Sequence, residues 1–161
     1  KFFEKVVTAR QNDESTVLFT IGYQGISLEE YLNRLLKNNV HLLVDVRRNP
    51  LSQKYGFSKK SLSSFCSRLG IEYIHIPDVG IDSSKRQELN TQEDYDLLFD
   101  EYKATVLKEA IESQNFILSL LEKHRRIALT CFEADTCQCH RTHLAENLKK
   151  SPNFKYDLKH I

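Results

Sequence analysis

The sequence predicts one three-layer α/β domain: a mostly parallel central sheet with helices on both faces. Three observations carry that prediction. Short β-branched or apolar runs alternate with segments whose apolar residues recur at helical spacing. The run His41-Leu-Leu-Val-Asp-Val46 is apolar almost throughout, as a parallel strand covered on both faces must be. At 161 residues, 40% hydrophobic and 28% charged, the chain has the size and makeup of one globule with a substantial core. No repeat, low-complexity tract or interdomain linker divides it, so 1–161 reads as one domain.

The elements follow in order. Thr16-Val-Leu-Phe-Thr-Ile21 is β-branched and aromatic and ends at Gly22, a first strand. Ser27 and Glu30 make a capping box, in which the Ser oxygen accepts the Glu30 N–H and the Glu carboxylate reaches back. Leu28, Tyr31, Leu32, Leu35 and Leu36 then repeat at helical spacing. His41–Val46 is the second strand. Ser58 precedes a short helix carrying Leu62, Phe65, Cys66 and Leu69, stopped by Gly70. Ile71–Ile76 is a third strand closed by Pro77, and Val79 to Asn90 reads as a polar loop. Thr91 and Asp94 offer another cap. Helical sequence continues from there towards His124, with a break expected at Ser113 to Asn115. Arg126–Cys131 is the fourth strand and Thr142–Lys150 a closing helix. Phe154–His160 alternates, as an edge strand does.

No apolar stretch is long enough to span a bilayer. Lys1–Val7 lack the long apolar segment of a secretory signal, so a cytoplasmic protein away from membranes is expected. In that compartment Cys66, Cys131, Cys137 and Cys139 are expected as reduced thiols rather than a disulfide scaffold. The net charge of +1 excludes a strongly basic nucleic-acid binder. The average hides a division. Asp45–Gly70 holds six basic residues against one acid, and Asp78–Glu112 ten acids against four bases. Two solvated faces would account for this, and so would a local anion-binding surface.

The chemistry concentrates where the strands end, because open α/β sheets bind ligands beyond the carboxyl ends of their strands. After the first strand, Gly22, Tyr23 and the turn to Ser27 allow close backbone approach and lead into a helix N-terminus, where an anion can sit. Asp45 and Arg47 lie two apart on extended backbone and point to one side. They suit either a structural ion pair or an arginine oriented for phosphate. Lys54 and Tyr55, beside Gly56, suit a flap that stacks on a base and touches a phosphate, or a plain hydrophobic lid. Tyr73 and His75 share one side of the third strand. His75 reads as a hydrogen-bonded strand histidine rather than a catalyst.

The richest segment is Cys131-Phe-Glu-Ala-Asp-Thr-Cys-Gln-Cys-His-Arg-Thr-His143. Three chemistries compete for it. Cys137, Cys139, His140 and His143 are of ligand type for zinc, with Cys131 as a further donor, although their spacing is tighter than paired zinc knuckles use. Cys139, at a helix start beside His and Arg, has the surroundings of a thiolate nucleophile. Glu133 and His140 can do acid–base work while Arg141 grips an anion.

These motifs, taken in order, resemble one family. They are Thr20-Ile-Gly-Tyr23, Asp45-Val-Arg47, Tyr55-Gly-Phe-Ser58, Ile71-Glu-Tyr-Ile-His75, Gly80-Ile81, Cys131-Phe-Glu-Ala-Asp135 and Cys139-His-Arg141. The set resembles the family called domain of unknown function 488, small bacterial and archaeal proteins, over roughly 16–148. The resemblance implies a compact α/β fold and a soluble intracellular protein, and it supplies no reaction. It points to Asp45, Arg47, Glu133, Cys139, His140 and Arg141. Cys137 is an added thiol that turns this member towards metal or redox chemistry. The Asp-Val-Arg strand end is also similar to that of rhodanese-like sulfurtransferases, but their anion-cradling loop between Cys and Arg is not matched.

The resulting expectation is an enzyme-like domain, a hydrolase or transferase at a glycosidic or phosphate centre. It would bind a nucleotide or nucleic acid with Arg47, Arg141 and the Gly22–Ser27 turn. Glu133 and His140, with Asp45, are the acid–base candidates and Cys139 an optional nucleophile. No cofactor is expected under this reading. The alternatives are a non-catalytic nucleic-acid-binding module, and a zinc-binding or redox-sensing domain. The sequence assigns no oligomeric state.

Overall fold

A computed structural model of the chain describes residues 13–86 and 88–161. The expectation drawn from Lys1–Val7 lies outside the described residues. Among the described residues five strands form one sheet, β1 (Val17–Gly22), β2 (Leu42–Asp45), β3 (Glu72–His75), β4 (Arg126–Cys131) and β5 (Asp157–His160). Their order is β3-β2-β4-β1-β5, and every pairing is parallel. The helices are α1 (Leu28–Lys37), α2 (Lys59–Arg68), α3 (Gln92–Ala104), α4 (Val106–Glu109), α5 (Ile111–His124) and α6 (His140–Lys149). The predicted three-layer α/β architecture is what forms.

Alternation along the strands builds two cores, because successive side chains point to opposite faces. Val17, Phe19, Ile21, Leu43 and Ala128 pack with Tyr31, Leu32 and Leu35 of α1 and with Leu62 and Cys66 of α2. Leu18, Leu42, Val44, Ile127 and Leu129 pack on the other face with Phe99, Tyr102, Ile117, Leu121, Leu144 and Leu148 of α3, α5 and α6. The strand order explains the division. The links β1–β2 and β2–β3 step one way across the sheet; β3–β4 and β4–β5 step back, on the opposite face. The strand in the middle, β4, therefore has neighbours whose following helices lie on the other face from its own. A crevice opens at such a switch point, beyond the strand ends.

Local chemistry sets the helix ends. Ser27 Oγ accepts the Glu30 N–H at 3.1 Å. The reciprocal half of the predicted box is absent, because the Glu30 carboxylate pairs with Arg34 at 2.7 Å instead. Thr91 and Asp94 do make both halves of theirs. Gly70 stops α2 at φ +72°. The break expected at Ser113–Asn115 falls earlier, at Thr105 and Ala110. Thr105 Oγ1 donates to the Glu101 carbonyl at 2.8 Å, a local bond that competes with the helix ladder. Gln114 faces inward, and its Nε2 donates to the Leu107 and Ala110 carbonyls at 2.7 and 3.1 Å, so a polar residue read as a breaker stitches the break closed. No helix among the described residues is long and apolar enough to cross a membrane.

Candidate functional site

At the end of β2 the Asp45–Arg47 spacing does what extended backbone dictates. Arg47 Nε and Nη2 donate to the two Asp45 carboxylate oxygens at 2.8 and 2.6 Å, a bidentate pair with both residues buried. Arg47 Nη1 donates to the Phe57 carbonyl at 2.6 Å and to the Tyr23 hydroxyl at 3.1 Å. Burial draws the guanidinium's pKa down, but the Asp45 carboxylate outweighs burial and leaves it above its ordinary value. The Tyr73 hydroxyl also donates to Asp45. Burial, then that carboxylate, hold the Tyr73 phenol well above the usual range. His75 Nε2 donates to the Arg47 carbonyl at 2.7 Å. This cluster locks three strand ends and the following loop into one piece.

The turn after β1 is built differently from an anion cradle. The N–H groups of Tyr23 and Gln24 both donate to the Phe132 carbonyl, at 3.1 and 2.9 Å. A Cβ on Gly22 would stand 2.0 Å from the Glu133 carbonyl oxygen and 3.1 Å from Arg141 Nη1. The close approach that Gly22 allows is thus made by the protein's own β4 loop. Tyr23 stacks on Phe57 at 4.3 Å between centroids. Lys54 Nζ donates to the Tyr23 carbonyl at 2.8 Å. Gly56, at φ +89°, lies so close to Leu28 that a Cβ would be 2.4 Å from its Cδ2. Within Lys54–Ser58, Phe57 is buried and Tyr55 is exposed.

At the end of β4 the predicted groups are brought together with partners the sequence did not disclose. Glu133 pairs with Arg86, which comes from the 3-10 turn Ser83–Arg86. Arg86 Nη2 also donates to His140 Nδ1 at 2.7 Å, while His140 Nε2–H donates to the Val46 carbonyl at 2.9 Å. The tautomer is therefore fixed by Val46 rather than by Glu133. Burial, with the Arg86 charge adding to it, pushes the His140 pKa down to about 3. A neutral imidazole with both nitrogens engaged positions its neighbours and takes up no second proton near neutral pH. Arg141 is buried, and its Nη1 donates to the Glu133 carbonyl at 2.5 Å and to Cys131 Sγ at 3.2 Å. Its Nε has no hydrogen-bond partner. Burial lowers its pKa against the opposing pull of Glu133.

Cys131 and Cys139 are joined in a disulfide, which corrects the expectation of reduced thiols. The short turn Thr136–Gln138 returns the chain so that the N-cap of α6 meets the end of β4. Asp135 caps that turn by accepting the Cys137 N–H at 2.8 Å. Joined in this way, Cys139 offers no thiolate nucleophile. The predicted zinc set does not assemble either. Cys137 is exposed, and the His143 ring packs on Phe99 at 4.5 Å. Cys131, Cys139 and His140 are the group drawn together, all buried, with ligand atoms within 4.8 Å of one another.

A cavity of about 270 Å³ opens at this edge. Arg47, Arg48 and Asn49 from the β2 loop form one wall; Cys131, Phe132, Glu133 and His140 form another. Tyr23, Leu51, Ser52, Ile81, Ser83 and Arg86 complete it. Of the sequence candidates, Tyr23, Arg47, Glu133 and His140 line it. Gly22, Asp45, Lys54, Tyr55, Cys139 and Arg141 do not. Arg48 and Arg86 were missed. The signal for the 80–86 segment was Gly80, where a Cβ would meet the Arg48 N at 2.4 Å, so that loop packs directly on the end of β2.

The family model for the domain of unknown function DUF488 matches residues 27–148. The chain belongs to the DUF488 family. The matched span runs from the Ser27 cap through α6 and takes in both walls of the cavity apart from Tyr23. No curated protein and no solved structure matches the chain.

Proposed function

We propose that this DUF488 protein binds a phosphate-bearing ligand, a nucleotide or a nucleic-acid strand, in the cavity at the carboxyl edge of its sheet. The carrying observation is charge: among the described residues that line it, Arg47, Arg48 and Arg86 face one carboxylate, Glu133. Guanidinium groups bind phosphate through paired N–H donors. Leu51 and Phe132 stand at the same opening, 81% and 43% exposed, and offer apolar surface to a base or sugar.

Arg47 contributes field from a fixed position, since its donors are held by Asp45, Tyr23 and Phe57. Arg48 is exposed and Arg86 reaches in from a short turn, so these two make the direct contacts. A phosphate that draws Arg86 away from Glu133 leaves that carboxylate free as general base. It would act on a water or hydroxyl at a phosphate or glycosidic centre. His140 holds Arg86 rather than moving a proton.

A thermal-shift panel of nucleotides, sugar phosphates and short DNA and RNA strands tests this, because a ligand selective for the folded state raises Tm by mass action. Stabilisation by one phosphate class, lost in Arg48→Ala and Arg86→Ala, is the expected result. A flat panel with wild type overturns it. The exposed Arg48, Lys59, Lys60 and Arg68 on the outer flank favour a second reading, a non-catalytic nucleic-acid-binding module. That reading expects binding that weakens steeply with salt and is unchanged in Glu133→Gln, where the enzyme reading expects turnover to be lost.

A further inference from the structure

Cys131 and His140 line the cavity with Cys139 buried beside them, and the phosphate reading leaves this cluster unused. Three features give it the character of a metal centre. The first is composition and burial. Two sulfurs and one imidazole nitrogen, all buried, lie within 4.8 Å of one another, a donor set that selects borderline-soft ions such as zinc. The second is the histidine. Its Nε2–H is tied to the Val46 carbonyl at 2.9 Å, which leaves Nδ1 unprotonated and able to act as a donor atom to an ion. A metal-ligating imidazole is oriented in just this way, its other nitrogen bonded to a carbonyl or carboxylate. The third is what now occupies the acceptors. The Arg86 guanidinium touches Glu133 Oε1 and His140 Nδ1 together, a positive group held where a cation would find both. Glu133 Oε2 lies 3.5 Å from Cys131 Sγ, within reach as a fourth donor.

Backbone spacing agrees. The Cα atoms of Cys131 and Cys139 are 7.3 Å apart, beyond the roughly 4.4–6.8 Å that disulfides usually span. Two sulfurs on one tetrahedral zinc, each at about 2.3 Å, stand about 3.8 Å apart and fit a wider backbone separation. Arg141 Nη1, 3.2 Å from Cys131 Sγ, donates to a sulfur that gains negative charge as a ligand.

We propose that, in its reduced form, the protein binds one zinc-like divalent ion through Cys131 Sγ, Cys139 Sγ and His140 Nδ1, with the remaining position facing Glu133 and the cavity. A dithiol or phosphine reductant supplies the two electrons that open the disulfide, and two protons complete the thiols. Binding the ion then releases both thiol protons. Arg86 withdraws as the ion enters. The inference does not rest on the phosphate reading, and its test contains no phosphate.

The full chain, reduced with a phosphine under inert gas, is titrated with cobalt(II) and then zinc in phosphate-free buffer. The expected result is one ion per chain with a thiolate-to-cobalt charge-transfer band, bleached by zinc. X-ray absorption of the zinc form should show two sulfurs at about 2.3 Å. Cys137→Ser should keep uptake unchanged. Cys131→Ser should weaken it by more than about a hundredfold, beyond the loss that an outer hydrogen-bond partner causes. Arg86→Ala should tighten it. No uptake by the reduced wild type, a metal shell without sulfur, or uptake abolished by Cys137→Ser would each overturn the proposal. The wild-type absorption spectrum decides the matter even if Cys131→Ser does not fold.

Discussion

Two carboxylate–guanidinium pairs lie at the carboxyl edge of the sheet, and the two are anchored differently. Of Asp45–Arg47 only Arg47 lines the cavity, whereas Glu133 and Arg86 both line it. Asp45 and Arg47 are two residues apart on one strand end, both buried, with every bond directed by backbone geometry. Glu133 and Arg86 are 47 residues apart, and Arg86 approaches from a turn with 23% of its side chain exposed. The first pair is framework: it ties β2 to Tyr23, Phe57 and Tyr73. The second joins a buried carboxylate to a partly exposed side chain from a short turn. Chemical identity alone does not set the role of an ion pair. Its anchoring does.

The largest effect is expected for Asp45→Asn. It leaves the buried Arg47 without its counter-charge, and removal of one partner from such a pair costs about 3–5 kcal/mol. Urea unfolding should show the loss as a lower midpoint at unchanged slope. Gly22→Ala acts where the end of β1 packs on the β4 loop, pressing a methyl onto the Glu133 carbonyl 2.0 Å away. Overpacking of this kind costs about 1–3 kcal/mol, and the same unfolding experiment reads it.

Acid should act on the Glu133 side. The His140 pKa lies near 3 in the folded chain against an ordinary 6.5, so the unfolded chain takes up the proton first. Stability is then full above about pH 6.5 and falls as pH drops towards 3, by at most about 1.4 kcal/mol per pH unit from this group. Unfolding curves across that window should flatten in His140→Gln. The smallest effect is expected for Arg86→Ala, within about 1 kcal/mol in stability, because Arg86 lines the open cavity with 23% of its side chain exposed. If Arg86→Ala destabilised as much as Asp45→Asn, the distinction between the two pairs would fail.

What the sequence disclosed and what it hid follow the same division. All five strands were legible, because apolar, β-branched or alternating runs, two of them closed by Gly22 and Pro77, are a local signal. The Asp45–Arg47 pair was legible too, since a two-residue spacing on a strand fixes direction without tertiary knowledge. Arg86 was not, because its partners lie 47 and 54 residues away and its own segment reads as polar loop. Gln114 and Thr105 show a related failure, in which side-chain bonds to local carbonyls moved a helix break that composition placed elsewhere. Gly22 and the β4 loop show another. A glycine turn before a helix looks the same in sequence whether a ligand or the chain's own carbonyl fills the space.

The position of β4 has a consequence for how such a site comes into being. The strands flanking it, β1 and β2, pair with it and not with each other, so residues 17–22 and 42–45 present bare edges until residues 126–131 are available. Unpaired edges of apolar strands invite association with other chains. The same insertion that seals those edges brings Cys131 and Glu133 opposite Arg47. Completion of the sheet and creation of the cavity are therefore one event, and the protein has no folded sheet without its site.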